Sequence, residues 1–283
     1  MIPLLPILAL AAALTFDGDG AGAGRTVDAD LDPLDFFAGQ GCAIGPSTRA
    51  AARQAGVDRA AIDALADKWR DDPETVATGD WLVLPPKACT MTLPVVESAL
   101  KLTDPEVQAA FSAADAYAGE DSPGCFLDGD KLRATTAAAR GWTQDQAMIE
   151  YLRLVAQSLR SGDLTFYTDS PLLTPYGIHL TTGSCGEVLP YRDDARRAHE
   201  YLVENFDMIV RRNLQEVTCE YGGSWPAVEE AERLHNELQG ISQHAWLGFE
   251  AYLIVLGAGW YEGVSLTEKG MPRPPLCHYP EAG

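Results

Sequence analysis

The chain has 283 residues, 46% of them hydrophobic, which is enough for a packed core and excludes a disordered protein. It carries 21 lysines and arginines against 41 aspartates and glutamates, a formal net charge of −20 at pH 7. Such a surface repels phosphate backbones, so no nucleic-acid partner is expected. We interpret the acidity as a source of solubility, with the attraction of cationic ligands as the alternative.

Residues 1–23 are predicted to form a signal peptide for export. An apolar run over residues 2–14 has the length of a signal-peptide core and is too short to cross a bilayer. Cleavage is expected after Ala13 or Ala23, and the alternative is a buried N-terminal element, which two early prolines disfavour. No later stretch is continuously apolar over the length of a bilayer, so no membrane span is expected in the mature chain.

Residues 24–41 are expected to form an acidic linker. Asp28, Asp30 and Asp32 share the alternate spacing that begins a calcium loop, but Pro33 stands where such a loop needs glycine. We therefore expect no calcium site in this stretch, which leads from the export signal into the first cysteine.

Six cysteines predict a disulfide framework, because an even number in an exported chain is commonly oxidised in pairs. None stands in a CxxC or CxxCH arrangement, so a zinc ribbon, a redox pair and a haem attachment site all lack their spacing. No metal or other cofactor is therefore expected. The cysteines instead divide the chain into three closed segments, residues 42–89, 125–185 and 219–277, followed by a tail at 278–283.

The first closed segment, residues 42–89, is predicted to contain two helices and a hairpin. An alanine-rich helix should end at Gly56, after which Asp58 can cap a second helix. The dipeptide Gly79-Asp80 is a turn signal between two short strands. The later segments follow the same order, with a wider hairpin expected between Leu164 and Thr182 in the second one.

Two helical bridges are expected to connect the closed segments, at residues 90–124 and 186–218. In the first bridge, helices are predicted to begin at Pro94 and again at Pro105. In the second, apolar residues recur at steps of three and four and predict one long helix over 191–217.

A shared turn motif indicates that the three closed segments are degenerate repeats. Each places a glycine, an apolar residue and a capping residue between its two helices: Gly56-Val57-Asp58, Gly141-Trp142-Thr143 and Gly240-Ile241-Ser242. The glycine can take the left-handed turn that ends one helix, and the third residue can cap the next. Each segment is therefore predicted to close on itself, through a bond worth about 4 kcal/mol in the chain-entropy model. The predicted disulfides are Cys42 with Cys89, Cys125 with Cys185, and Cys219 with Cys277.

These elements predict a mainly α fold with small β-hairpins, in the α+β class. Two helices followed by a hairpin resemble, at the level of element order, the core of a winged helix-turn-helix. That resemblance implies DNA reading by the second helix, yet in the first segment this helix carries one lysine against two aspartates over residues 61–69. We therefore expect packing or protein binding from these segments.

No catalytic motif with a recognisable spacing occurs in the sequence. A nucleophile elbow, a phosphate-binding glycine loop, a dinucleotide fingerprint and the HExxH zinc motif are all missing. If the chain is an enzyme, the residues to inspect are His235, His244, Glu237 and Glu250, because the two histidines flank Gly240 and the carboxylates lie near them in sequence.

The expected function is that of an exported non-enzymatic protein, periplasmic or secreted. It would bind another envelope or secreted protein, or serve as an assembly or accessory component. The alternative is a cell-envelope hydrolase with a site between the repeated segments. Cytoplasmic regulation through winged helices, a third class, is excluded if the cysteines are oxidised.

Overall fold

The protein folds as a mixture of helices and two small antiparallel sheets. The computed structural model describes residues 31–112, 124–168, 178–216 and 225–260, and more than half of these are helical. The helices are α1 (Pro33–Ala38), α2 (Pro46–Gln54), α3 (Arg59–Trp69), α4 (Pro105–Gln108), α5 (Gly129–Arg140), α6 (Gln144–Ser161), α7 (Gly183–Val188), α8 (Arg192–Glu204), α9 (Phe206–Glu216), α10 (Trp225–Leu238) and α11 (Leu247–Gly257). The strands are β1 (Ala43–Ile44), β2 (Val76–Thr78), β3 (Trp81–Val83), β4 (Phe111–Ser112), β5 (Phe126–Leu127), β6 (Leu164–Phe166) and β7 (Ile178–Leu180).

The first closed segment consists of one strand, two helices and a hairpin. Strand β3 pairs antiparallel with both β1 and β2, so the sheet has the order β1-β3-β2. Gly79, with φ of 56°, lies in the two-residue turn between β2 and β3. A disulfide joins Cys42 to Cys89. The helix pair and the hairpin that the sequence predicts are confirmed.

The second closed segment has the same order of elements. It runs β5, α5, α6, β6 and β7, and its strands lie in the order β5-β7-β6, with β4 added beside β5. A disulfide joins Cys125 to Cys185. Residues 167–177 separate β6 from β7, so this hairpin is wider than that of the first segment, as the sequence predicts. Cys219 and Cys277, the third predicted pair, lie outside the described residues, and so does the expected signal peptide.

The cysteines occupy matching positions in these two segments. The carbonyl of the first cysteine accepts a hydrogen bond from a leucine amide at the end of the last strand. Leu84 donates to Cys42 at 3.0 Å, and Leu180 donates to Cys125 at 2.8 Å. The second cysteine follows that leucine by five residues in both cases. The two disulfides therefore close their sheets in the same way.

Three helices end in the glycine turns that the sequence predicts. Gly56, Gly141 and Gly240 have φ values of 93°, 66° and 68°. In each turn the next, apolar residue donates its amide to the carbonyl five positions earlier, the longer bond of a Schellman motif. Asp58 and Thr143 then cap α3 and α6 through their side chains. The three backbone bonds run from Val57 to Ala52, from Trp142 to Ala137 and from Ile241 to Asn236.

Helix α11 lies in the hydrophobic core and packs against α6, α9 and α8. Gly257 permits its closest approach to α6, since a Cβ atom there would lie 2.4 Å from Ala156 Cβ and 2.6 Å from the Leu152 carbonyl oxygen. Although α11 is apolar on nearly every side, neither it nor any other helix in the described ranges is long and apolar enough to span a membrane.

The stretch between β3 and α4 is irregular and is held by side chains from distant helices. The helix predicted to begin at Pro94 is therefore wrong. Two β-branched valines follow that proline, and amides nearby are bound by side chains instead of by helical carbonyls. The contacts are Arg211 with the carbonyls of Leu84 and Cys89, Asp207 with the Met91 amide, Gln157 with the Ser98 amide, and Glu150 with the Ala99 amide.

The single long helix predicted over residues 191–217 is two helices. Asn205, with φ of −117°, separates α8 from α9. Its side-chain amide donates to the Tyr201 carbonyl at 2.9 Å, a local bond of the kind by which asparagine competes with helix propagation. The apolar periodicity continues through the break, which is why the sequence pattern does not reveal it.

Part of the stretch expected to be a linker, residues 24–41, is folded. Asp32 caps helix α1 by accepting a hydrogen bond from the Leu34 amide at 2.9 Å. Phe37 of that helix is buried in the core, and the Ala38 carbonyl accepts from the Thr92 amide. The described part of this stretch therefore belongs to the folded unit that begins at Leu31.

Candidate functional site

Two carboxylates are buried beside the first turn of α11. Glu250 belongs to that helix and Glu232 belongs to α10, and each residue is only 4% exposed. Burying a carboxylate is costly unless hydrogen bonds or a cation compensate for the lost water. The two residues are compensated in different ways, which gives them different chemistry.

Glu250 joins α11 to strand β6. Its Oε1 accepts hydrogen bonds from the Phe166 amide at 2.6 Å and from the Thr165 hydroxyl at 2.9 Å. Within the described ranges no lysine, arginine or histidine forms an ion pair with it. Burial raises the pKa of Glu250 to about 7; the two hydrogen bonds oppose this rise, and the nearby charge of Glu232 adds to it. The carboxyl is thus a proton-binding group at near-neutral pH.

Glu232 caps α11 from the neighbouring helix. Its Oε1 accepts from the Gly248 amide at 2.8 Å, one of the amides that the first turn of a helix leaves unsatisfied. Its Oε2 pairs with Arg212 of α9 at 2.5 Å. The residue at the N-cap position, Trp246, provides no side-chain hydrogen bond to the amides of the helix. A carboxylate at a helix N-terminus is also favoured by the helix dipole.

The connection between α10 and α11 is tied to the end of β6. The expectation that Ser242 caps α11 is wrong, because the helix begins five residues later and the Ser242 hydroxyl lies 2.7 Å from the Tyr167 hydroxyl. Thr168 donates its amide to the His244 carbonyl at 3.0 Å. Tyr167 also forms an antiparallel bridge with Ala245. The connection therefore meets the end of β6 through a turn at residues 242–245 and one bridging residue.

Tyr167 is the centre of an aromatic and polar cluster. Its ring stacks on Tyr191 with centroids 4.1 Å apart, and its hydroxyl donates to Asp194 at 3.1 Å. The His179 ring meets Tyr191 edge-on at 5.9 Å, and the His244 ring lies 5.8 Å from Tyr167. These contacts join β6, β7, α8 and the connection that precedes α11.

The four residues proposed from the sequence for an enzyme site lie in two places. Glu250 and His244 reach neighbouring residues at the end of β6, as described above. His235 lies elsewhere, with Nε2 at 3.3 Å from the Tyr201 hydroxyl; burial and the charge of Arg212 lower its pKa and so favour the neutral imidazole. Glu237 is exposed.

The sequence does not reveal Glu232, Arg212, Tyr167 or Asp194 as members of this region. Glutamate is abundant in α10, and nothing in the pattern separates the buried Glu232 from its exposed neighbours. The one usable signal is Asn236, four residues further on the same helical face, whose side-chain amide donates to the Ala245 carbonyl at 2.7 Å. Two polar residues on one buried face indicate a polar contact across that face.

In the described parts of the chain, no group of three or more histidine, cysteine, aspartate or glutamate side chains is arranged to hold a metal ion. The carboxylates of the site bind protein donors instead. What the arrangement can do chemically is to bind or release a proton at Glu250 and to couple that change to the contact between α11 and β6.

Comparison of the chain with protein-family models, with curated proteins and with solved structures finds no match. A functional proposal therefore rests on the residues and contacts described above.

Proposed function

We propose that the chain is an exported, non-enzymatic protein that binds another envelope or secreted protein, as an assembly or accessory component in the periplasm or outside the cell. The observation that carries this proposal is the matching geometry of two disulfide-closed segments. Disulfides persist in oxidising compartments, and arrays of small repeated modules commonly serve as extended binding surfaces. The expected signal peptide at residues 1–23 agrees with this compartment.

The proposal includes a third repeat in residues 219–277. Helix α10, the Gly240 turn and α11 follow the order of the helix pairs in the first two segments. Cys219 and Cys277 stand at the two ends of this stretch in the sequence, so we expect them to form the third disulfide. The resemblance of each unit to a winged helix-turn-helix stays a prediction about element order.

The contacts of the buried polar residues support a binding protein. Glu232 caps α11, Glu250 joins that helix to β6, and Asn236 holds the connection between α10 and α11. Each of these side chains has a structural task that requires no substrate. The binding surface is therefore expected on the outside of the repeated segments.

Affinity capture with the mature, oxidised protein tests the proposal. Bound to a solid support and exposed to the envelope fraction of its source, the protein should retain one partner in a stoichiometric amount. The same protein after reduction and alkylation is the control and should lose that partner, because the closed segments are no longer held. Repeated recovery of nothing specific would contradict the proposal and favour the alternative, a cell-envelope hydrolase with a site between segments.

A further inference from the structure

Among the described residues nothing covers the outer edge of β2 in the first segment, whereas the equivalent edge of β6 in the second segment is covered. Both strands lie at the end of their sheets, β2 in the order β1-β3-β2 and β6 in the order β5-β7-β6. An edge strand presents backbone amides and carbonyls that no neighbour has paired. The outer edge of β2 is therefore the place where the sheet of the first segment can accept a further strand.

The two edges can be aligned through their hydrogen bonds. Because Leu84 donates to Cys42, alternation along the antiparallel ladder directs Leu82 towards β1 and leaves its partner on β2, Ala77, with its amide facing outwards. The bond from Leu180 to Cys125 gives the same result for Phe166 on β6. Ala77 and Phe166 are thus equivalent residues.

The chain itself covers the edge of β6. The outward amide of Phe166 donates to Glu250, and two residues later Thr168 donates to the His244 carbonyl. Between them Tyr167 bridges Ala245 in an antiparallel arrangement. A turn at residues 242–245 with a single bridging residue, together with the Glu250 carboxylate, therefore satisfies this edge.

The edge of β2 has no such cover among the described residues. Ala77 is exposed, its outward amide has no hydrogen-bond partner within the described ranges, and Val76 beside it is 37% exposed. The surroundings are acidic, and Lys87 is already paired with Asp72 and Glu74 at 2.7 and 3.2 Å. Four acidic residues stand within six positions of Ala77 along the chain: Asp71, Asp72, Glu74 and Asp80.

We infer that the edge of β2 is the docking site for an extended, basic segment of the partner protein, which adds as an antiparallel strand to the sheet of the first segment. Backbone hydrogen bonds to Ala77 supply the pairing, and the acidic surroundings select lysine- or arginine-rich segments. A second copy of this chain is disfavoured as the occupant because it would bring the same acidic residues together. This inference rests on the proposed binding function and names the surface that performs it.

A short peptide of alternating lysine and valine is a suitable probe, titrated into the ¹⁵N-labelled protein. The expected result is a saturable shift of the Ala77 amide resonance, with smaller shifts at Val76 and little change on β6. A peptide of alternating glutamate and valine should not bind. The lysine peptide with an N-methyl group on every residue keeps its charge but has no amide N–H on either edge with which to pair as a strand, and it should also fail. Binding of the methylated peptide equal to that of the parent would overturn the inference, as would the absence of shifts at Ala77.

Matched variants at residue 77 isolate the backbone contact. Ala77→Pro removes the outward N–H, which no strand of the sheet uses, and proline is tolerated at such edge positions. Ala77→Val keeps the N–H and favours extended backbone. Both variants should unfold at the wild-type temperature. The proline variant should bind the lysine peptide about tenfold more weakly than the valine variant. Equal affinities would overturn the inference.

Capture with these variants separates this inference from the proposed function. A partner retained by the wild type and by Ala77→Val but lost by Ala77→Pro supports both. A partner retained by all three leaves the binding function standing and overturns the edge of β2 as its site. If no partner is found while the peptide still binds at Ala77, the result contradicts the proposed binding function. It leaves the edge of β2 standing as a docking site for a basic strand.

Discussion

Glu250 is a buried carboxylate whose hydrogen bonds come from neutral groups. The Thr165 hydroxyl and the Phe166 amide stabilise its ionised form only in part, and the nearby Glu232 charge opposes ionisation. The folded protein therefore holds a proton on this residue at pH values where an exposed glutamate has released it. Folding and proton binding are coupled through this one side chain.

The sign of that coupling gives a testable pH dependence. The pKa of Glu250 rises from 4.5 to about 7 on folding, so the folded state binds more protons between these values and stability falls as the pH rises through them. The cost at pH 8 is about 3 kcal/mol. In Glu250→Gln the amide oxygen can still accept both hydrogen bonds, and this cost disappears. Denaturant unfolding at pH 4.5 and pH 8 should show the wild type losing about 3 kcal/mol relative to the variant.

Glu237→Gln is the matched control for that experiment, because Glu237 is exposed on α10. Its unfolding free energy should follow the wild-type pH profile. Parallel profiles for the wild type and Glu250→Gln would contradict the assignment of a proton to Glu250 in the folded state.

At the residue scale, local capping could be predicted from the sequence and distant capping could not. Asp58 and Thr143 cap helices that begin directly after them, so the spacing alone identifies them. Glu232 caps α11 from sixteen residues away, a contact that depends on how α10 and α11 pack. Ser242 has the residue type of a cap, but its hydroxyl is used by Tyr167.

At the element scale, α11 shows how a helix is positioned when its sequence is apolar on nearly every side. Periodicity identifies a core-facing stripe only when the remaining positions are polar, and α11 has no such contrast. Its orientation is instead set by the close approach at Gly257 and by the carboxylates of Glu232 and Glu250.

Gly257→Ala should destabilise the protein through the contact between α11 and α6. The added methyl group would lie 2.4 Å from Ala156 Cβ and 2.6 Å from the Leu152 carbonyl oxygen, so the two helices must separate. Overpacking of this kind costs about 1–3 kcal/mol. Thermal and denaturant unfolding should both show the loss, because the helices contribute to one core.

Gly141→Ala provides a comparison without steric contact. A Cβ atom at Gly141 meets nothing within 4 Å, and only the left-handed conformation, with φ of 66°, opposes the substitution. The cost should be about 1 kcal/mol, and Gly141→Asn should recover part of it. A Gly257→Ala variant as stable as the wild type would contradict the close packing of α6 and α11.

Helix ends marked by glycine could be predicted from the sequence, whereas breaks without glycine or proline could not. The turns at Gly56 and Gly141 follow from the need for a left-handed residue. The break at Asn205 arises from a side chain bonding to the backbone within a continuous apolar pattern. The irregular chain on both sides of Pro94 depends on side chains of α9 and α6, which local sequence does not contain.

At the scale of the whole molecule, we propose that disulfide-closed units repeat along the chain. Two of them have the same order of strands and the same relation between a cysteine carbonyl, a leucine amide and the closing cysteine. The cysteine spacing and the glycine turns predict this organisation, because both recur in the sequence. The different covering of β2 and β6 could not be predicted, since it depends on the packing of α11.

Mapping of the disulfide-linked peptides distinguishes three closed units from any other pairing of the cysteines. The mature protein, digested without reduction and analysed by mass spectrometry, should yield three linked pairs: Cys42 with Cys89, Cys125 with Cys185, and Cys219 with Cys277. Reduction before digestion should release all six peptides as the control. A bond that joins two segments, such as Cys89 with Cys125, or free thiols at Cys219 and Cys277, would contradict the organisation of the chain into three closed repeats.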